Sequence, residues 1–209
     1  MSKVIFIGGG SLAKEIKSIA EDNLFNIVGY VDETEKEINL KYLGKVESLP
    51  NMNYNFDYVF LAFGGVNKQT MLKRKQVIDF IAANNLKTCS IISKKAIIEK
   101  YTKIGNGVFI SHSVVISYAA EISDYCSLNT ASVVGHDAFL EKNVVMAPKS
   151  YISGNVKIKN SVLLGPGCNV LQGVIINQNS IIGMGTNIFK NIPANSIVLP
   201  NISKVLKQK

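Results

Sequence analysis

Between residues 92 and 188 the chain places an aliphatic side chain, once a methionine, at every sixth position. A helix repeats its apolar positions about every 3.6 residues and a half-buried strand every 2, so neither explains a period of six. Hexapeptide periodicity is typical of a parallel β-helix, whose coils bury this column by stacking on one another. The column comprises Ile92, Ile98, Ile104, Ile110, Ile116, Ile122, Leu128, Val134, Leu140, Met146, Ile152, Ile158, Leu164, Val170, Ile176, Ile182 and Ile188.

The fifth position of each hexad is restricted as well. From Val108 onward it holds only Val, Ile, Ala, Cys, Ser or Thr, which suits a tight inward corner. Cys126 and Cys168 occupy this position and no CxxC occurs, so we interpret them as packed thiols. Gly and Asn recur near the expected turns, where left-handed backbone is needed. Three hexads form a triangular coil, so residues 92–191 predict roughly five and a half coils.

The first 90 residues follow a different rule, because strand and helix patterns alternate there. Such alternation predicts a small parallel sheet. The two patterns meet near residue 92, so we expect a βαβ domain over 1–91 and a β-helix domain with a C-terminal tail over 92–209. The expected strands are 4–7, 25–31 and 57–62, and the expected helices are 11–20 and 68–83.

A glycine-rich segment, Gly8-Gly9-Gly10-Ser11-Leu12-Ala13, follows the first strand and opens the first helix, and Asp32 follows the second strand. This is the dinucleotide-binding fingerprint, in which backbone N–H groups at a helix start meet phosphate. Taken alone it predicts NAD. However, about 90 residues hold only half of a doubly wound sheet, which argues against an oxidoreductase. Alternatively, the glycines only allow tight strand-to-helix turns.

The formal charge of +8 comes from 22 lysines and a single arginine, Arg74, against fifteen acids. The lysines are scattered, with no basic helix or aromatic platform, so we expect no nucleic-acid partner. Such a surface can instead steer small polyanions towards clefts. We expect no membrane span and a cytoplasmic location, since neither a long apolar stretch nor a signal-peptide pattern is present.

Only two histidines are present. His136 is the third residue of its hexad, so we expect it on the outer surface of the coil, as a solvated residue or a functional one. An imidazole there has the chemistry of a general base near neutrality. Asp137 either orients it or only forms the turn, and His112 is expected at the surface or in a trimer contact. Two histidines leave the three-histidine site of a zinc hydratase incomplete.

The glycine-rich βαβ unit joined to hexapeptide coils resembles the left-handed β-helix acyltransferases. More narrowly, it is similar to sugar acetyltransferases of bacterial surface-glycan synthesis: the bacillosamine-pathway and perosamine N-acetyltransferases and the sialic acid O-acetyltransferases. The resemblance implies an α/β half-Rossmann domain followed by a left-handed parallel β-helix. It also implies a homotrimer that uses acetyl-CoA as co-substrate and needs no metal.

The resemblance also implies roles for individual residues. His136 would be the base and Asp137 its partner, whereas the second histidine of some relatives is replaced by Val145. The N–H of Gly154 would lie near the thioester. Substrate contacts are expected from Gly8, Gly9, Gly10, Ser11, Asp32, Glu33, Gly64, Gly65 and Asn129, and coenzyme contacts from Ala147, Gly154, Gly183, Met184, Gly185 and Lys190.

These expectations combine into one hypothesis. The chain would be an acetyl-CoA-dependent N-acetyltransferase acting on a UDP- or dTDP-linked 4-amino-4,6-dideoxy sugar, for example in O-antigen biosynthesis. O-acetylation of sialic acid or another sugar hydroxyl is an alternative that the sequence does not separate. A non-catalytic β-helix scaffold that binds nucleotides is an alternative of a different class.

Overall fold

The computed structural model describes residues 1–200 of the 209-residue chain. In its N-terminal part β1 pairs in parallel with both β2 and β3, giving the order β2-β1-β3. This part confirms the predicted alternation of strands and helices, and it adds a short 3₁₀ helix. The elements are β1 (Lys3–Ile7), α1 (Ser11–Asp22), β2 (Asn26–Val31), the 3₁₀ helix (Val46–Asn51), β3 (Tyr58–Leu61) and α2 (Lys68–Ala83).

The central strand β1 explains why this sheet is parallel and covered. Val4, Ile5, Phe6 and Ile7 are all buried, as expected for a strand with packed layers on both sides. Helix α1 covers one side with its apolar residues at helical spacing: Ala13, Ile16, Ile19 and Ala20. The other side packs against Val77, Ile78 and Ile81 of α2.

Beyond α2 the chain forms a parallel β-solenoid of two-residue strands, which confirms the predicted fold class. The strands are β4 (Ile91–Ile92), β5 (Ile97–Ile98), β6 (Lys103–Ile104), β7 (Phe109–Ile110), β8 (Val115–Ile116), β9 (Glu121–Ile122), β10 (Ser127–Leu128), β11 (Val133–Val134), β12 (Phe139–Leu140), β13 (Val145–Met146), β14 (Tyr151–Ile152), β15 (Lys157–Ile158), β16 (Leu163–Leu164), β17 (Asn169–Val170), β18 (Ile175–Ile176), β19 (Ile181–Ile182), β20 (Asn187–Ile188) and β21 (Ile197–Val198).

The strands build three faces. The first face contains β4, β7, β10, β13, β16, β19 and β21, the second β5, β8, β11, β14, β17 and β20, and the third β6, β9, β12, β15 and β18. We number the coils 1 to 6 from β4 upward. The first corner joins the first and second faces, the second corner joins the second and third, and the third corner joins the third and first.

The turns at these corners share one backbone feature. The fourth residue of every hexad from Tyr101 to Gly185 has a positive φ. Asparagine and glycine were expected there, yet the position also accepts other side chains because stacked neighbours impose the turn. The residues are Tyr101, Gly107, Ser113, Ala119, Tyr125, Ala131, Asp137, Asn143, Lys149, Asn155, Ser161, Gly167, Gly173, Asn179 and Gly185.

The first and fifth positions of the hexads form the solenoid core. Cys126 and Cys168 are buried there, as predicted for packed thiols. Burial raises the pKa of both thiols to about 12, so they are protonated at neutral pH. The same holds for the half-buried Cys89, whose pKa is also raised to about 12 by burial.

The last coil is shorter than the coils below it. In the coil before it, Leu163 pairs with Ile181, which lies three hexads further along the chain. Ile181 in turn pairs with Ile197, and Ile176 with Ile192, so the last coil closes before three full hexads are complete. The aliphatic series therefore stops at Ile188 although the solenoid continues to Val198. The predicted tail beyond residue 200 lies outside the described residues.

The N-terminal part lies on the first face of the solenoid. Asn23, at the end of α1, donates a hydrogen bond to the Ile92 carbonyl of coil 1 (2.7 Å). Glu15, nearer the start of the helix, accepts from Ser111 of coil 2 (2.5 Å) and Thr130 of coil 3 (3.4 Å). Helix α1 therefore runs down the solenoid, and its first residues lie at the height of coils 3 and 4.

The change from α/β structure to short strands takes place at β4. Ile91 packs in one cluster with Val4, Phe6 and Phe109, so this cluster spans both sides of that change. The division into domains 1–91 and 92–209 stays a prediction.

Candidate active site

His136 lies on the outer side of the second corner, in the turn between β11 and β12, and half of its side chain is exposed. Its Nδ1 is 2.8 Å from Oδ2 of Asp137. A carboxylate can only accept a hydrogen bond, so Nδ1 must carry the proton. In the neutral ring this leaves the Nε2 lone pair available, which is the arrangement that a general base requires.

Glycine at position 154 makes room for this imidazole. Gly154 occupies the turn one coil above His136, and a Cβ built on it would lie 2.4 Å from Nε2 and 2.5 Å from Cε1 of the ring. The ring therefore leans over the Gly154 backbone. Within residues 1–200 no acceptor is bonded to the Gly154 N–H. A base and a backbone donor that has no acceptor within residues 1–200 thus lie side by side, with Gly154 itself buried beneath the ring.

Large apolar side chains lie at this same corner in the coils above and below His136. Tyr118 lies one coil below, is half exposed, and meets the Tyr101 ring edge-on with centroids 5.2 Å apart. Leu171 and Phe189 lie above and are also exposed. Sequence reasoning missed Tyr118, although its place three hexads before His136 is the signal that could have found it. Exposed apolar groups concentrated along one corner mark an interaction surface.

Helix α1 begins with an open N-terminus. Gly10 is its N-cap, no side chain caps the helix, and its first turn holds no acid. A Cβ at Gly10 would have no heavy atom within 4 Å. Helix α2 differs, because Asn67 and Thr70 form a capping box there. The uncapped N–H groups of α1 can therefore receive an anion such as phosphate.

The other two glycines of this segment are required by the fold. Gly8 has a φ of 106°, and a Cβ on Gly9 would lie 2.3 Å from the Tyr30 ring. The interpretation as tight-turn glycines is sufficient for both of them, whereas Gly10 has open space around it.

Asp32 and Glu33 lie beside the same segment, directly after β2. The Asp32 carboxylate accepts hydrogen bonds from the N–H groups of Gly9 (2.9 Å) and Glu33 (2.7 Å), which ties the glycine-rich segment to β2. Glu33 is exposed and its carboxylate lies 3.3 Å from Lys73 Nζ. The segment after β3 lies on the other side of the glycine-rich segment. A Cβ built on Gly64 would lie 3.4 Å from Leu12 of α1, so this segment packs against the start of the helix.

The remaining predicted coenzyme residues do not lie together in one protomer. Ala147 and the segment 183–185 lie at the first corner, in coils 4 and 6, whereas Gly154 and Lys190 lie at the second corner. Met184 is exposed. A ligand seated in a groove between two protomers could touch both sets.

Two further polar residues lie at the first corner, away from His136. Asn129 donates its amide to the Met146 carbonyl of the next coil (2.8 Å), as Asn177 does to Ile192 (2.9 Å) at the third corner. This repetition gives Asn129 a structural role within the solenoid. The His112 Nδ1 is 2.7 Å from the hydroxyl of Ser93.

The glycine-rich segment and His136 lie at the same height of the solenoid. A Cβ on Gly65, next to the open end of α1, would lie 3.4 Å from Val145 of coil 4. His136 belongs to coil 3 and leans on Gly154 of coil 4. The N-terminal part covers the first face, however, and His136 lies on the opposite corner. The two sites share a level but face different directions.

Comparison with known proteins matches both parts of the chain. Residues 3–76 match the PglD N-terminal domain. The acetyltransferase domain of PglB from Neisseria gonorrhoeae FA1090 is 25% identical, with 99% of this chain and 100% of that chain covered and a TM-score of 0.86. PerB from Caulobacter crescentus, in complex with CoA and GDP-perosamine, is 23% identical, with 99% and 98% covered and a TM-score of 0.89.

WeeI from Acinetobacter baumannii AYE has the same fold at 18% identity, with 99% and 100% covered and a TM-score of 0.83. Sequence comparison finds no match among curated proteins.

The chain has the architecture of a hexapeptide-repeat sugar acetyltransferase. The resemblance inferred from the sequence is confirmed, and the likeness to the acetyltransferase domain of PglB supports an acetyl-CoA-dependent acetyltransferase. Within residues 1–200 this acetyltransferase-like chain has no cluster of three or more His, Cys, Asp or Glu side chains able to hold a metal ion. The described helices include none with the length and hydropathy needed to span a bilayer.

Proposed function

We propose that the protein transfers the acetyl group of acetyl-CoA to the amino group of a nucleotide-linked 4-amino-4,6-dideoxy sugar, with His136 as the general base. The observation that carries this proposal is the half-exposed imidazole, held by Asp137 and with no hydrogen-bond partner on Nε2 within residues 1–200, beside the Gly154 N–H, which has no acceptor there either. Solved structures of similar fold that contain CoA and an amino-sugar nucleotide support the choice of substrates.

The chemistry follows from these groups. The amine nitrogen attacks the thioester carbonyl carbon, and His136 Nε2 accepts the proton that the nitrogen loses. The Gly154 N–H donates to the oxyanion of the tetrahedral intermediate. The C–S bond then breaks, the amide forms, and the coenzyme leaves as the thiol after taking up a proton. Asp137 stabilises the imidazolium that exists between these two proton transfers.

We assign the nucleotide to the N-terminal part. The uncapped start of α1 at Gly10 and Ser11 would bind the diphosphate, and Gly64 and Gly65 would form the opposite wall. Asp32 and Glu33 would lie towards the nucleoside. UDP and dTDP are the nucleotides expected from the sequence, and GDP belongs in the test because a protein of similar fold was solved with GDP-perosamine.

A homotrimer would complete the site. Rotation about an axis parallel to the solenoid keeps the height of every residue, so it can bring the nucleotide site of one protomer to His136 of the next. The level shared by Gly65 and Gly154 of coil 4 supports this arrangement. The coenzyme would lie between protomers, which would allow contacts at both the first and the second corners.

The direct test is acetyl transfer monitored by release of the coenzyme thiol. Wild type is expected to acetylate one UDP-, dTDP- or GDP-linked 4-amino-4,6-dideoxy sugar. His136→Ala should lower kcat by about 10³-fold and Asp137→Asn by about 10–10²-fold, because the first loses the base and the second only its orientation. Asp137→Asn keeps a side chain suited to the left-handed φ of 55° and so serves as the matched variant.

Two outcomes would favour the alternatives. Turnover with sugar hydroxyl acceptors alone, such as sialic acid, would overturn the choice of N-acetylation. Nucleotide binding without acetyl transfer to either acceptor class, and without an effect of His136→Ala, would indicate a scaffold. A cytoplasmic role in O-antigen biosynthesis stays a prediction.

A further inference from the structure

Arg74 of α2 is the only arginine in the chain, and it is 2% exposed. Its guanidinium donates to three acceptors on three separate segments. Nε donates to Asn143 Oδ1 (2.9 Å), one terminal nitrogen to the Tyr125 carbonyl (2.7 Å), and the other to the Phe63 carbonyl. Tyr125 and Asn143 lie at the third corner of the solenoid, whereas Phe63 follows β3.

The Phe63 end of this contact belongs to the proposed nucleotide site. A Cβ on Gly8 would lie 2.9 Å from the Phe63 ring, so Phe63 packs directly on the glycine-rich segment. A Cβ on Gly65 would lie 2.2 Å from Met71 and 3.4 Å from Val145, so the other end is pressed between α2 and the first face. The segment 63–65, the nucleotide wall, therefore has little freedom of its own and takes its position from α2 and the solenoid.

A buried guanidinium is costly unless its donors are satisfied. Burial lowers the pKa of Arg74 to about 10, and the group therefore stays charged at neutral pH. None of its three acceptors carries a formal charge, and no carboxylate within residues 1–200 forms a salt bridge with it. With uncharged acceptors, the contact depends on the direction of each hydrogen bond. The planar guanidinium of arginine presents its donors in fixed directions, whereas the ammonium of lysine does not.

Resting on the proposed function, we infer that Arg74 is a positioning residue for the acceptor substrate. It fixes the nucleotide wall to the third corner of the solenoid. Because the acceptor amine is carried by the nucleotide, this contact sets where the amine arrives at the shared catalytic corner. The acetyl-CoA side of the site, around Gly154, has no contact with Arg74 and should not depend on it.

The test separates positioning from simple stabilisation by steady-state kinetics on both substrates. Arg74→Lys keeps the charge but cannot reach three acceptors, so KM for the nucleotide sugar should rise about tenfold while KM for acetyl-CoA stays within about twofold. Val170→Ala, in the solenoid core, is the matched control, since it should lower thermal stability and leave both KM values unchanged.

Two further variants keep the inference testable if Arg74→Lys folds poorly. Asn143→Gly removes one acceptor and preserves the left-handed backbone (φ 62°), and it should raise KM for the nucleotide sugar by about threefold. Arg74→Ala should regain its nucleotide-sugar KM when guanidinium ion is added well below denaturing concentrations.

A stability loss with unchanged KM values in all folded Arg74 and Asn143 variants would overturn the positioning role. The same would follow if both substrates were affected equally. If wild type itself acetylates no nucleotide-linked amino sugar, the proposed function has failed instead, and the two failures are therefore distinct.

Discussion

At the scale of single residues, the sequence predicted the candidate catalytic pair His136 and Asp137, but it did not predict the surroundings of this pair. The hexad register placed His136 on the outer surface, because the third position points away from the aliphatic column. That the ring leans over Gly154 depends on contacts between successive coils, which the sequence separates by three hexads. The role of Arg74 was also missed, because its acceptors lie on segments far away in the sequence. Its burial could have been predicted, since it shares one face of α2 with Met71, Ile78 and Ile81.

Gly154→Ala tests the contact between glycine and imidazole. The new methyl group would lie 2.4 Å from Nε2, so the ring must move, and we expect kcat to fall about 10–10²-fold. The N–H of residue 154 is retained, so the loss acts through His136. The double variant His136→Ala/Gly154→Ala should therefore be no slower than His136→Ala alone, as measured by thiol release. A further loss in the double variant would assign Gly154 an independent role.

At the scale of elements, the period of six fixed which residues face the core, since each coil repeats the same three strands. It did not reveal the 3₁₀ helix Val46–Asn51, whose sequence has no periodic pattern, or the shortened last coil, whose register comes from pairing with β19. The left-handed fourth position was only partly predictable. Glycine and asparagine mark it, but Tyr125 and Lys149 adopt it as well.

Ser113 offers a test of this fourth position, because it is exposed and has a φ of 58°. Ser113→Val should lower the free energy of unfolding by about 1–2 kcal/mol, since a β-branched side chain is strained in this conformation. Ser113→Asn should cause no loss. Urea unfolding followed by circular dichroism measures both, and equal stability of the two variants would contradict the backbone argument.

The start of α1 can be tested by a substitution with opposite effects on stability and binding. Gly10→Asp places a carboxylate at an open N-cap, so it should stabilise the protein by about 0.5–1 kcal/mol. The same charge occupies the proposed phosphate site, and KM for the nucleotide sugar should rise at least about tenfold. Gly10→Ser caps the helix without a charge and is the control for melting temperature and kinetics. A Gly10→Asp variant with unchanged KM would remove the diphosphate from this site.

At the scale of the whole molecule, sequence patterns predicted the βαβ part and the solenoid. They did not predict how the βαβ part packs on the solenoid. Docking on the first face depends on side chains far apart in sequence, among them Glu15 with Ser111 and Met71 with Val145. That docking puts the start of α1 level with His136 while leaving the two on different sides of one solenoid. The arrangement therefore favours a site completed by a second protomer.

Subunit mixing decides whether the site is shared. His136→Ala impairs the catalytic corner and Gly10→Asp the nucleotide site, so in the proposed homotrimer each variant alone should have little activity at low nucleotide-sugar concentration. In trimers reassembled from equal amounts of both variants, about a quarter of the shared sites would combine two intact halves, because each half is intact with a probability of about one half. Activity at nucleotide-sugar concentrations well below the wild-type KM should then recover to about that fraction. If the site lay within one chain, every site would keep one defect and mixing would restore nothing.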